Sequence, residues 1–190
     1  MIMSMVLDFK SNIQVDFKSC HQKAVDLLEP GEFNYLVHSG DSELDSDFIC
    51  FAQNYTPLSE LLPKHFTIVD CGCYQAMQCH LFRDFKAYIG VDNYDKPSRN
   101  HGDYRPPHRA TEWNVVHYKM DITSFISYCP EYREDPNTYF IASSVPDFAQ
   151  TLILFRSVKN CFVAYPGEPL HVKGFMAEEI LRIYSNTPNL

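Results

Sequence analysis

Phe66-Thr-Ile-Val-Asp-Cys-Gly-Cys-Tyr-Gln-Ala-Met-Gln78, followed by Ala87-Tyr-Ile-Gly-Val-Asp92, is the stretch that decides the fold. Phe66 to Val69 is a short apolar run that ends in the turn Asp70-Cys-Gly-Cys-Tyr74. Met77, Leu81 and Phe85 then recur at i+4, which predicts a helix starting directly after the turn. Gly72 supplies torsions or a close approach that a side chain would forbid. A helix in that place presents free N–H groups beside the strand end. Asp92 closes the next apolar run, twenty-two residues after Asp70. In a nucleoside-binding α/β fold an acid at that place and spacing accepts hydrogen bonds from ribose hydroxyls.

Working outward, the same texture repeats. Val115 to Tyr118, Thr138 to Ala142 and Cys161 to Ala164 read as further strands, each too apolar to be half-exposed. Ile122 to Tyr128 reads as a short helix. Phe148, Leu152 and Phe155 mark another, and Met176, Ile180 and Ile183 place a last one over Phe175 to Tyr184. Five strand–helix alternations predict an α/β chain with a three-layer, doubly wound, mainly parallel sheet. Numbered from the Phe66 strand, the expected order is 3-2-1-4-5. Residues 64–190 form this domain, and residues 1–63 form an irregular, helical segment packed on it. Within that segment helices are expected over 20–28, stopped by Pro30-Gly31, over 43–53, and over 58–62, stopped by Pro63. Asp8-Phe9-Lys10-Ser11 recurs as Asp16-Phe17-Lys18-Ser19, one echo that makes no repeat architecture.

Composition narrows the function classes. The 190 residues are 45% hydrophobic and 21% charged, enough to bury a full core. Sixteen Lys and Arg against twenty-four Asp and Glu give a net charge of -8, which argues against a general binder of long nucleic acid. No apolar run approaches the roughly 20 residues of a membrane span, and the start reads as neither signal nor transit peptide. Seven cysteines, odd in number and set in apolar runs, fit a reducing cytoplasm. Cys71, Cys73, Cys79 and His80 do not have a zinc spacing, so no metal is expected. His101, His108 and His117 are expected to be solvated.

The dinucleotide fingerprint G-x-G-x-x-G is broken by Tyr74 and Met77, and no phosphate loop, G-x-S-x-G or H-E-x-x-H occurs. Val69-Asp-Cys-Gly-Cys, Tyr88-Ile-Gly-Val-Asp92 and Tyr118-Lys-Met-Asp-Ile122 resemble successive motifs of the class I S-adenosylmethionine-dependent methyltransferases. The resemblance covers more than half of the chain. It implies S-adenosylmethionine as cofactor: Asp70, Gly72 and Cys73 would line the methionine and ribose loop. Asp92 would take the ribose hydroxyls, and Asp121 with Ile122 would meet the adenine. Tyr74, Asn93 and Ser144 complete the cofactor set implied by that match. The family loop reads D/E-x-G-x-G-x-G, and here Tyr74 and Ala76 stand at its second and third glycines.

The substrate side falls at Ile141-Ala-Ser-Ser-Val-Pro-Asp147, where the family places its fourth motif. Ser144 and Asp147 are candidates to orient a substrate, with no residue marked as catalytic. The polar loop 94–113, carrying Tyr94 and Tyr104, is expected to overhang the ligand edge as a lid. Asp121, just before Ile122-Thr-Ser, is equally a helix N-cap. Two functions follow: a methyltransferase-like protein acting on a small molecule or a protein side chain, or a non-enzymatic interaction protein that keeps the fold with a degenerate cofactor site.

Overall fold

A computed structural model of the chain describes residues 4–7, 17–27, 51–74, 76–93, 115–145, 147–165 and 168–185. The loop expected over 94–113, most of the helix expected over 43–53 and the Pro30-Gly31 stop lie outside these residues.

Among the described residues, seven strands form one sheet. They are β1 (Ser4–Leu7), β2 (Thr67–Cys71), β3 (Ala87–Asp92), β4 (Val115–Lys119), β5 (Thr138–Ser143), β6 (Cys161–Ala164) and β7 (Leu170–Lys173). Their order is β1-β7-β6-β5-β2-β3-β4. The five strands from β4 to β6 are parallel, in the order expected from the sequence. β7 pairs antiparallel with β6, and β1 pairs antiparallel with β7. Neither β1 nor β7 was expected. Leu170-His-Val-Lys173 is a four-residue run too short to stand out, and β1 is recruited only because β7 offers it a free edge.

β2 and β5 are buried along their whole length, as near-continuous apolar runs in a parallel sheet should be. β4 departs from that expectation: Val116, His117 and Lys119 are exposed, because β4 is the last strand at its edge. Pleating sends alternate residues to opposite faces. Ile68, Tyr88, Tyr139, Ile141 and Phe162 join one apolar core, and Val69, Cys71, Ile89, Val91, Phe140 and Val163 join the other.

The first core is covered by α1 (Phe17–Leu27), a π-helical turn (Phe51–Tyr55), α2 (Thr56–Leu61), a 3-10 segment (Met77–Phe82) and α6 (Ala177–Ser185). The second is covered by α3 (Ile122–Tyr128) and α5 (Phe148–Ser157), with the short α4 (Pro130–Glu134) beside α3. The chain is therefore α/β, with helices on both faces of a mostly parallel sheet, compatible with a Rossmann-like fold. Among the described residues no helix is long and apolar enough to cross a membrane.

Two helix faces turn out rotated from the sequence pattern. In α5, Thr151 and Leu154 are buried while Phe148, Leu152 and Phe155 are half-buried. In α6, Ala177, Ile180, Leu181 and Tyr184 face the core and Ile183 points out. Pro57 sits in the first turn of α2, where its missing N–H costs nothing.

Asn160 fastens the amino ends of the central strands. Its amide nitrogen donates to the carbonyls of Pro136 (2.8 Å) and Thr138 (3.0 Å), and its Oδ1 accepts from the Phe175 N–H at 2.9 Å. Its backbone carbonyl accepts from Phe140 N–H at 3.1 Å. Replacing the amide leaves the buried Thr138 carbonyl and two part-buried backbone groups without this partner. Asn160→Ala is expected to lower stability by about 2–4 kcal/mol, read as the shift in a urea unfolding midpoint. A variant as stable as the parent would remove Asn160 from this role.

Candidate functional site

The carboxyl ends of β2, β3 and β5 lie side by side, and β2 is where the strand order reverses direction. In an open α/β sheet that edge is where a crevice for ligands forms. The loop leaving β2 has an unusual backbone. Gly72, Tyr74 and Ala76 have φ of 76°, 50° and 54°, left-handed at every second residue. For Tyr74 and Ala76 that conformation costs about 1–2 kcal/mol each, and such strain clusters at binding sites and switches.

The loop is tied to β3. Gly72 N–H and Cys73 N–H both donate to the Val91 carbonyl, at 2.7 and 3.3 Å, and Tyr74 N–H donates to Asp92 Oδ2 at 2.8 Å. Ala76 N–H turns back to the Cys73 carbonyl at 2.7 Å. The N–H groups of Gly72, Cys73, Tyr74 and Ala76 are thus spent within the protein and are not offered to a phosphate. The helix expected after it is a six-residue 3-10 segment, entered through left-handed Ala76. The expected row of free N–H groups at an α-helix start is therefore replaced by a tight turn.

Asp70 is fully buried. Tyr55 donates to its Oδ1 at 2.8 Å; Gln78 (2.6 Å) and Tyr88 donate to its Oδ2. Burial pushes the carboxyl up to about 6, against the pull of those three hydrogen bonds, and the nearby Asp92 charge adds to the rise. With its oxygens engaged, Asp70 shapes the loop from behind. Asp92 is different: Tyr74 takes Oδ2, and Oδ1 has no partner among the described residues. Asn93, beside it, is exposed.

Cys73 and His117 form a pair that the sequence did not suggest. Cys73 Sγ lies 3.3 Å from His117 Nε2, across a gap that Gly90 keeps open: a Cβ there would stand 2.9 Å from the sulfur and 2.8 Å from the ring. Burial drives the Cys73 thiol well above its ordinary value, with Asp70 and Asp92 adding to it, and burial lowers the His117 imidazole. The pair is thus a neutral thiol on a neutral imidazole, a structural tie from the loop to β4. His117 is exposed, as its place next to a polar loop suggests, and its Nε2 also meets Cys73. The described cysteines 71, 73, 79, 129 and 161 are free and buried. No group of three metal-ligating side chains comes together among the described residues.

The remaining candidates divide. Asp121 caps α3, its Oδ1 accepting from Ser124 N–H at 2.8 Å and its Oδ2 from Ser124 Oγ at 2.7 Å. Those bonds hold its carboxyl below the usual range. Ile122 is buried in the second core, so it packs the helix start. Ser144, at the end of β5, has φ 57° and donates its N–H to the Ala164 carbonyl at 2.8 Å. Asp147 caps α5, accepting from Gln150 N–H at 3.2 Å and Gln150 Nε2 at 3.0 Å. The structure thus gathers Gly72, Cys73, Tyr74 and Asp92 on one edge, with Ser144 at the next strand but one. The side chains of Asp70, Asp121 and Ile122 serve the fold.

Sequence reading missed Asn54 and Tyr55. They stand on the π-helical turn and reach Ser143 and Asp70 at the carboxyl ends of β5 and β2. No spacing rule connects them to residues 15 and 89 positions away. The chain matches no protein-family model, and no curated protein is significantly similar to it.

Two outcomes are expected of the loop. Gly72→Ala forces a Cβ to 2.6 Å from Val145 Cγ2 in a left-handed position and should destabilise by at least about 2 kcal/mol. Ala76→Gly relieves the strained torsion and should stabilise by up to about 1 kcal/mol. Denaturant melts of the two variants check this, and effects of the same sign would contradict the backbone description.

Asp70 also gives stability a pH dependence. Its folded value of about 6 lies above the ordinary 3.8, so the folded state holds the extra proton between them. Its contribution is full below about pH 4 and is lost as pH rises through 6, by about 1–3 kcal/mol. Asp70→Asn lacks this titration, so the stability of the parent relative to the variant should fall from pH 4 to pH 7. A flat difference across that range would refute it.

Proposed function

We propose that this chain is a methyltransferase-like protein that binds S-adenosylmethionine along the carboxyl edge of its sheet. The observation that carries the reading is the loop backbone. Left-handed torsions recur at 72, 74 and 76, the three positions where the family resemblance calls for glycine, although two of them are Tyr and Ala. A sequence that has lost two glycines yet keeps the conformation they serve retains a reason to hold it. The second support is Asp92, whose Oδ1 has no hydrogen bond among the described residues, at the end of β3, where a carboxylate oxygen suits the vicinal hydroxyls of a ribose.

When bound, S-adenosylmethionine supplies an activated methyl group on a sulfonium. The protein's part is to fix the direction of approach, since a displacement of this kind depends chiefly on alignment. Asp92 holds the sugar and the 72–76 loop bounds the crevice. Ser143 and Ser144, ending β5, bound the side from which an acceptor enters. The acceptor is a small molecule or a protein side chain, since the acidic surface repels long nucleic acid.

A second reading rests on Val145. Its Cγ2 occupies the space over Gly72 that a ligand would otherwise approach, and Val145 is buried in the second core. A site closed in this way suits an interaction protein that keeps the fold without the chemistry.

Calorimetric titration with S-adenosylmethionine and S-adenosylhomocysteine separates the two. Binding is expected, and Asp92→Asn should weaken it by about 1–3 kcal/mol. That variant retains an oxygen for the Tyr74 N–H, so its melting temperature should stay near the parent's. No heat of binding at millimolar ligand would select the interaction protein instead.

A further inference from the structure

We propose that Asn54 is a ligand-binding residue whose amide oxygen accepts a hydrogen bond from an N–H group of the molecule bound at the sheet edge. The inference rests on the cofactor reading above and adds to it the residue that meets the nitrogen-bearing end of the ligand.

The amide of Asn54 is pinned on one side only. Its Nδ2 donates to Ser143 Oγ at 2.7 Å, and both residues are 7% exposed. Its Oδ1 is closed off from water and has no hydrogen-bond partner among the described residues. A buried carbonyl oxygen without a donor is costly, and native structures keep few of them. This one is held over the carboxyl end of β5, beside left-handed Ser144 and one strand from Asp70. It is carried there by a π-helical turn, a form found most often at functional sites.

The turn is firmly built in other respects. Thr56 Oγ1 donates to the Phe51 carbonyl at 2.9 Å, and Tyr184 Oη donates to the Gln53 carbonyl at 2.7 Å. Tyr55 on the same turn donates to Asp70. The turn is thus tied to its neighbours, while the Asn54 oxygen has no partner among the described residues, at the end of a side chain whose terminal torsion is soft.

Position sets the chemistry. Asp92 ends β3 and Ser143 ends β5, with β2 between them, so two strand spacings separate the ends, about 10 Å. A ligand that grips Asp92 by hydroxyls and Asn54 by an N–H group must carry the two about that far apart. A nucleoside joined to an amino acid does so. The Asn54 oxygen is an acceptor, so it selects an amine or ammonium over a carboxylate at that end.

The experiment compares S-adenosylhomocysteine with 5′-methylthioadenosine, which keeps the nucleoside and lacks the amino acid. Both are titrated into the parent, Asn54→Leu and Asn54→Asp, with a thermal melt of each unliganded protein. Asn54→Leu should lose at least about tenfold in affinity for S-adenosylhomocysteine and hold 5′-methylthioadenosine as the parent does. Its unliganded melting temperature should stay near the parent's, because losing the unpaired oxygen offsets losing the bond to Ser143 Oγ. Asn54→Asp keeps an acceptor and should bind S-adenosylhomocysteine at least as tightly as the parent. Equal loss for both ligands, or no loss for either, overturns the contact while leaving the cofactor reading intact. Failure of the parent to bind either ligand overturns both.

Discussion

A carboxylate sealed inside the protein needs every donor it can find, and Asp70 draws three of them from three parts of the chain. Tyr88 comes from the neighbouring strand, Gln78 from the segment just after the loop, and Tyr55 from the π-helical turn that precedes β2. Burying that charge would be prohibitive without such partners. Their convergence fixes where β3, the 72–76 loop and the segment 51–61 stand relative to β2. The geometry of the candidate site follows from it. The loop runs back toward β3 and meets Asp92, and the turn that bears Tyr55 also sets Asn54 on Ser143.

This arrangement separates two carboxylates that look alike in the sequence. Asp70 and Asp92 each end an apolar strand, yet one is turned into the first core and fully enclosed while the other stands at the rim with an oxygen to spare. The same division runs through the other candidates. Asp121 and Asp147 spend both oxygens capping α3 and α5. Among the described residues, Asp92 Oδ1, the Asn54 oxygen and the ends of β5 lie along one edge and are open to a ligand's role.

The parallel core was legible because its signal is local and strong. Ile68-Val69, Ile89 to Val91 and Phe140 to Ala142 are apolar at every position, and only a strand buried on both faces tolerates that. The place of Asp92 at the end of the strand beside β2 followed from the same apolar runs. Less was readable where the outcome depends on distant partners. β1 and β7 are four residues each and exist as strands by pairing with each other and with β6. The segment after the loop shows helical spacing at Met77 and Leu81, but the left-handed entry at Ala76 winds it as 3-10. The Cys73–His117 tie and the Asn54–Ser143 bond join residues 44 and 89 positions apart, a relation that no periodicity encodes.

The pairing of Ser4–Leu7 with Leu170–Lys173 brings together stretches from opposite ends of the chain, Ser4 lying opposite Lys173. Contacts of such long sequence separation form late, because the loop they close is costly before other structure shortens it. A ribosome making this protein releases β1 well before β7, so β1 must wait, unpaired, until the strands between them have emerged. β2 to β6 can assemble in the order they emerge, while the outer edge of the sheet is sealed only at the end. Until then the hydrogen-bonding edge of β6 stays open to any other extended segment, so the interval before β7 and β1 dock is the time when this protein is most exposed to misassembly with its own copies.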